Sequence, residues 1–182
     1  MNVLAPTAHP TIEFKKAGWR DAGALFALAW LVPLAVHLVP WQAERPLGAY
    51  LLPMFWTTLV AGYFYGAGLG LLTGLFAPAL NLLLTGLPAW RAVGFASFEL
   101  ALFVAAFAFT LRRWPRVVLL APLGYVIAKL GVTGLRAALD DSGVSAVALG
   151  HSFVRALAGL VVLAALNAAL VWFFPKTARE ET

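Results

Sequence analysis

Residues 47–88 read LGAYLLPMFWTTLVAGYFYGAGLGLLTGLFAPALNLLLTGLP, a stretch without one Asp, Glu, Lys, Arg or His. A hydrocarbon core about 30 Å thick takes roughly 20 apolar residues per helix, so this stretch is long enough to cross twice. Tyr65-Gly66-Ala67-Gly68 supplies a tight turn between the two crossings. On that division the chain holds six apolar runs, at about 22–39, 47–64, 66–86, 90–111, 116–138 and 152–174. The other breaks are marked by proline, glycine and charge: Pro40–Pro46, Gly86-Leu87-Pro88, Arg112-Arg113-Trp114-Pro115 and Asp140-Asp141-Ser142-Gly143. The expected fold is all-α, a polytopic six-transmembrane-helix bundle over 22–174. Polar tails of residues 1–21 and 175–182 flank it.

Composition agrees. Of 182 residues 62% are apolar, 12% charged and 13% aromatic, and the mean hydropathy is +0.87. A soluble domain is about a quarter charged, and this much apolar surface cannot be hidden inside one small globule. The absence of cysteine excludes disulfide scaffolds, thiolate metal sites, iron–sulfur clusters and cysteine nucleophiles. The net charge of +5 is dispersed around the apolar runs with no aromatic-interleaved basic stripe, so nucleic acid is not an expected partner.

The positive charge instead reports orientation. With six crossings, one side holds Lys15, Lys16, Arg20, Arg112, Arg113, Arg116, Lys176 and Arg179, and the other Arg45, Arg91 and Arg136. The cytoplasmic side carries the excess of Lys and Arg, which puts both termini in the cytoplasm. The first run continues past Ala27-Leu28-Ala29 to Val39, long for a cleavable signal, and reads as an uncleaved span.

Gly62, Gly66, Gly70 and Gly74 recur every fourth residue. In lipid, helices associate by close packing, and small residues four apart let two backbones approach. Pro78 beyond them removes a backbone donor and should kink the helix. Asn81 lies one turn further on. It admits two readings, a satisfied kink in a packing face or a polar group pointing into a cavity opened by the kink.

Three charged residues fall inside the spans away from their ends: Glu99, Lys129 and Arg155. The ten apolar residues around Glu99 contribute roughly −3 to −6 kcal/mol of insertion energy, enough to carry a charge that costs several kcal/mol. Intramembrane charges normally face a bundle interior or a wet cavity and find a partner. At 1.5 Å per residue Glu99 lies roughly 13 Å below the outer edge. Lys129, seven residues before Arg136, lies at similar depth, and Arg155 about a turn inside. Lys129 and Arg136 share a helix face with Tyr125. A polar pocket opening outward among spans 4, 5 and 6 is one reading. A Glu99–Lys129 pair that fixes helix register, with Arg155 snorkelling to headgroups, is a second, and a proton relay is a third.

Other polar residues say less. His37 reads as an interface residue at the outer end of span 1. Asp140, Asp141 and His151 sit in the last outer loop, where paired acids are ordinarily solvated, and no metal site is expected. Trp19, Trp41, Trp90, Trp114 and Trp172 fall near span ends, as in an aromatic belt. Trp41, in the longer proline-flanked outer loop, can also cap a pocket. The ligand that fits is an anionic or zwitterionic molecule with a flat ring, walled by Tyr125, Trp41 and Phe95 or Phe103.

Six short spans with a glycine-rich turn into the third, followed by GLLTGLFAPALNLLLTGLP at 70–88, resemble the substrate-binding S component of energy-coupling factor (ECF) vitamin transporters. The resemblance covers the six-span layout, and its one local motif is the stretch 66–88. It implies a protein of a bacterial or archaeal cytoplasmic membrane that captures a vitamin-like micronutrient from outside. The cargo then passes inward by docking on a transmembrane T component bound to two ATPase subunits. Family pockets lie in the outer half, among spans 4 to 6 and the loop after span 1. That location coincides with the one reached from charge depth, and the expected binding residues are Glu99, Lys129, Arg155, Arg136, Asn81, Tyr125 and Trp41. Docking in that family uses small residues four apart in span 1, often alanines; here the nearest match is Gly23 and Ala27.

A P-loop, a His-Glu-x-x-His, a Gly-x-Ser-x-Gly and a pair of intramembrane acids are all missing from the sequence, so no enzymatic activity and no cofactor is expected. The alternative is a structural or assembly membrane protein packed through its glycine ladder.

Overall fold

The computed structural model describes residues 11–42, 47–86, 88–139, 146–176 and 178–179. The order is β1 (Thr11–Ile12), α1 (Trp19–Leu38), α2 (Gly48–Leu51), α3 (Pro53–Thr85), α4 (Trp90–Arg113), α5 (Leu120–Leu139), α6 (Ala146–Phe173) and β2 (Ala178–Arg179). The fold is all-α and of the membrane-embedded kind. Four helical segments are long and apolar enough to cross a bilayer: α1, Gly48–Thr85, α4 and α6. The fifth long helix, α5, carries Lys129 and Arg136 and is not among them.

The expected break at 65–68 is not a loop. The helical element runs from Pro53 to Thr85, but Gly66 inside it adopts φ 77°, ψ −167°, a conformation open to glycine and strained for any side chain. The chain turns back on itself there. A Cβ on Gly70 would lie 3.1 Å from the Cα of Gly62, and one on Gly74 would lie 3.3 Å from Cγ2 of Thr58. In a straight helix residues eight apart are about 12 Å from one another. Gly66 is therefore the apex of an antiparallel hairpin. The glycine ladder lets its two arms touch along their backbones.

The same glycines receive α4. A Cβ on Gly70 would meet Val104 at 2.8 Å, and one on Gly74 would meet Leu100 at 3.2 Å. The small-residue face is thus covered by the chain's own helices. Next, α5 packs on α4, with Gly131 against Leu102 and Gly124 against Phe103. α1 lies on α3, and α2 on α6. The core is built on fully buried Leu59, Tyr63, Leu100, Phe103, Val104, Phe107, Leu111 and Leu163. Phe55 meets Phe103 and Tyr125 edge to face, with centroids 5.1 and 5.2 Å apart.

The threonines in this apolar setting are satisfied locally. Thr57 and Thr58 donate to the Met54 carbonyl, Thr73 to Leu69 and Thr110 to Ala106. Trp19, Trp41, Trp90, Trp114 and Trp172 are all well exposed near helix ends.

The tail segments are tied down rather than separate from the bundle. β1 and β2 pair antiparallel, joining residues 11–12 to 178–179. The Lys15 amide donates to the Phe64 carbonyl at 2.8 Å, and the Phe14 ring lies against Gly66. Lys176 Nζ sits 5.1 Å from the Phe14 centroid and 5.3 Å from that of Tyr63. The Tyr63 hydroxyl donates to the Phe174 carbonyl at 2.7 Å. Arg112 approaches Phe14 from α4, so this end of the bundle is strongly basic.

A second difference concerns α6. It begins at Ala146, not near residue 152, and His151 is a helical residue rather than part of a loop. Ser152 returns its hydroxyl to the Ala148 carbonyl, so it does not interrupt the helix. Asp140, Asp141 and Arg45, which entered the loop and orientation readings, lie outside the described residues.

Candidate functional site

At the end of the bundle away from Gly66, Glu99 of α4 accepts a 3.2 Å hydrogen bond from Lys129 Nζ of α5. Both side chains are mostly shielded, Glu99 14% and Lys129 25% exposed. Equal depth on antiparallel neighbours is what lets two charges from different helices meet. Small residues allow the approach, since Gly124 and Gly131 bring α5 close onto α4.

The pair lines a hollow of about 220 Å³ together with Arg155 and Ser152 of α6 and Tyr125 of α5. Tyr125 is buried and held edge to face between Phe55 and Phe153. The remaining wall comes from Ala49, Tyr50, Leu52, Phe55 and Ala156. One carboxylate and two cations thus face one cavity. Lys129 neutralises Glu99, and Arg155 has no protein partner among the described residues. The balance is net positive, suited to a carboxylate or phosphate.

α2 is placed there by a close backbone contact. Leu52 adopts φ 56°, ψ 45°, left-handed and strained for a branched side chain, and Pro53 then starts α3. Gly159 of α6 receives this corner: a Cβ there would lie 2.7 Å from the Tyr50 carbonyl oxygen and from Leu52 Cγ. A side chain at 159 would expel α2 from the mouth of the hollow.

No family model, curated protein or solved structure matches the chain.

Of the residues expected to bind, Glu99, Lys129, Arg155 and Tyr125 come together. Trp41 stands one layer out, tilted against Tyr50 at 5.9 Å. Arg136 does not line the hollow; its guanidinium lies 4.4 Å from the Phe95 centroid. Seven residues of helix carry it beyond Lys129 to the rim. Asn81 is elsewhere too. Its amide donates to the carbonyls of Ala29 and Ala77, so it serves the contact between α1 and α3. Phe103 lies in the core below, behind Phe55. Gly23 and Ala27 are exposed on α1, and a Cβ on Gly23 would meet nothing within 4 Å.

Sequence reasoning missed Tyr50, Leu52 and Phe55. The signal available was Pro53 after a short apolar run, which marks a corner but not which helix the corner packs on. It also read His37 as an interface residue. The structure puts His37 in a second, apolar hollow of about 400 Å³, lined with Gly48, Met54, Pro88 and Ala89. No group of three metal-binding side chains occurs among the described residues.

Proposed function

We propose that the protein is the membrane-embedded substrate-capture subunit of an ECF-type uptake transporter. The bundle crosses the membrane six times, with the two arms of α3 counted separately and both termini cytoplasmic, in a bacterial or archaeal inner membrane. It binds a small vitamin-like acid in the hollow among α4, α5 and α6 and hands it to an ATP-driven module. The protein itself hydrolyses no ATP. The uncovered small-residue face of α1 at Gly23 and Ala27 receives the T component.

The observation that carries the reading is the convergence of Glu99, Lys129 and Arg155, from three helices, on one hollow. Lys129 is paired with Glu99, so the surplus positive charge is that of Arg155, exposed at the edge of the hollow, and a ligand carboxylate or phosphate supplies the anion it lacks there. The alternative of an assembly protein joined through its glycine ladder is disfavoured, because Gly62, Gly70 and Gly74 are covered by the chain's own helices.

The test is thermal stability of purified protein against a panel of water-soluble vitamins and their precursors. One acidic compound should raise the melting temperature, and Lys129→Ala or Glu99→Ala should abolish the rise. A full panel without a shift overturns the proposal.

A further inference from the structure

The two hollows share three lining residues, Ala49, Leu52 and Phe55. On one side of this partition stand Lys129 and Arg155. On the other lies the larger apolar chamber with a single polar side chain, His37. Small-molecule sites usually occupy roughly 300–1,000 Å³. The charged hollow alone falls below that range, and the two joined fall well inside it.

The imidazole of His37 has a defined polarity. Its Nδ1 lies 2.7 Å from the Pro33 carbonyl oxygen. A carbonyl only accepts, so Nδ1 carries the proton and Nε2 of the neutral ring presents a lone pair. Gly48 stands over this edge of the ring. A Cβ there would be 2.9 Å from Cε1 and 3.5 Å from Nε2, so only glycine leaves the imidazole its place. No protein donor serves Nε2 among the described residues. Leu52, between the chambers, is held in a strained backbone conformation by its seat on Gly159.

We propose that the two hollows are halves of one binding site for an elongated amphipathic acid. Its carboxylate or phosphate rests on Lys129 and Arg155. Its apolar body passes Leu52 and Phe55, and a hydroxyl or amine at the far end donates to His37 Nε2. This rests on the capture reading and names the substrate class for it: a bipolar molecule with a hydrophobic middle, not a compact polar one. Leu52 is the specificity-determining residue, since its side chain decides whether the second chamber is reached.

The experiment is calorimetric binding of ω-hydroxyalkanoates of four to twelve carbons to the protein in zwitterionic lipid nanodiscs, with empty nanodiscs subtracted. Affinity should rise about fourfold per added methylene, the value of each buried methylene, and then level off as the far chamber fills. Ala89→Phe, which obstructs only the apolar chamber, should erase the dependence on length and leave the four-carbon acid bound as before. His37→Phe should remove the preference for the ω-hydroxyl acid over its plain alkanoate. Arg155→Gln should weaken every member at least tenfold.

If short and long acids bind equally and Arg155→Gln weakens both, the joined site is wrong while the capture site stands. If no member binds and the vitamin panel also gives no shift, both fall. A length dependence that persists in Ala89→Phe is partition into lipid and overturns the proposal.

Discussion

Asn81 of α3 donates its side-chain amide to the main-chain oxygen of Ala29 in α1, 3.1 Å away and fully buried. In an unbroken helix that oxygen would accept from the amide of residue 33, but residue 33 is proline and has none. The same Asn81 amide reaches the Ala77 carbonyl at 3.0 Å, beside Pro78. One side chain thus serves two helices, each carrying a proline.

Asn81→Leu should therefore destabilise the protein by about 1 kcal/mol, the net worth of a buried hydrogen bond. The penalty should shrink in a Pro33→Ala background, where the new amide can serve Ala29. Unfolding midpoints of the four variants in detergent give the coupling, and an unchanged penalty would remove this account of Asn81.

The hairpin makes position-specific demands. Gly66→Ala should cost roughly 1–3 kcal/mol through backbone strain alone, before the contact with Phe14 is counted. Gly70→Ala should cost a similar amount, because its Cβ would meet Val104 and the backbone of Gly62. Gly68→Ala, with nothing within 4 Å of its Cβ, should be tolerated. Folded yield by size-exclusion chromatography distinguishes the three.

The ion pair can be separated from ligand binding. Removing one partner of a buried pair costs about 3–5 kcal/mol, and partial exposure of Glu99 and Lys129 lowers this to roughly 1–3. Glu99→Leu with Lys129→Met should recover most of the stability lost in either single variant. Ligand stabilisation should stay absent in the double variant. Recovery of both would make the pair a fixture of helix register only.

The clasp between the tails should respond to pH. Burial, with Lys15 adding to it, holds the Lys176 ammonium below the usual lysine range. Between that lowered value and the ordinary one, the unfolded chain binds more protons than the folded one, so stability rises with pH there. The midpoint of wild type relative to Lys176→Met should therefore climb as pH is raised through the alkaline range. A flat difference would mean that Lys176 titrates as a free lysine.

How far each feature was legible depends on the range of the interaction behind it. Glu99 and Lys129 were readable as partners because depth in a helix follows from counting residues. The turn at Gly66 was readable as a place, since four consecutive small or aromatic turn residues interrupt an apolar run. That the chain stays helical on both sides of one left-handed glycine was not, because the pattern carries no sign of the backbone angle. The starts of α1 and α6 fell several residues early, since helices run on past the apolar stretch that marks them.

Of the two readings open for Asn81 the structure has the packing one, and Arg136 lies away from the hollow at the rim. Each has a ring or a carbonyl on another helix as its partner, and periodicity along one helix cannot name it.

The chain's own order of residues settled what is local and additive: where the apolar runs lie, the basic excess at one end, and the positions of Glu99 and Lys129 along their helices. Each is a sum over neighbouring residues, so it needs no knowledge of packing. Only the tertiary arrangement decided that α2 drops onto Gly159, that Leu52 and Phe55 divide two chambers, and that Phe14 and Lys176 close the far end. Those depend on which surfaces meet, and in an apolar setting where almost every face is hydrophobic, shape at close approach makes that choice.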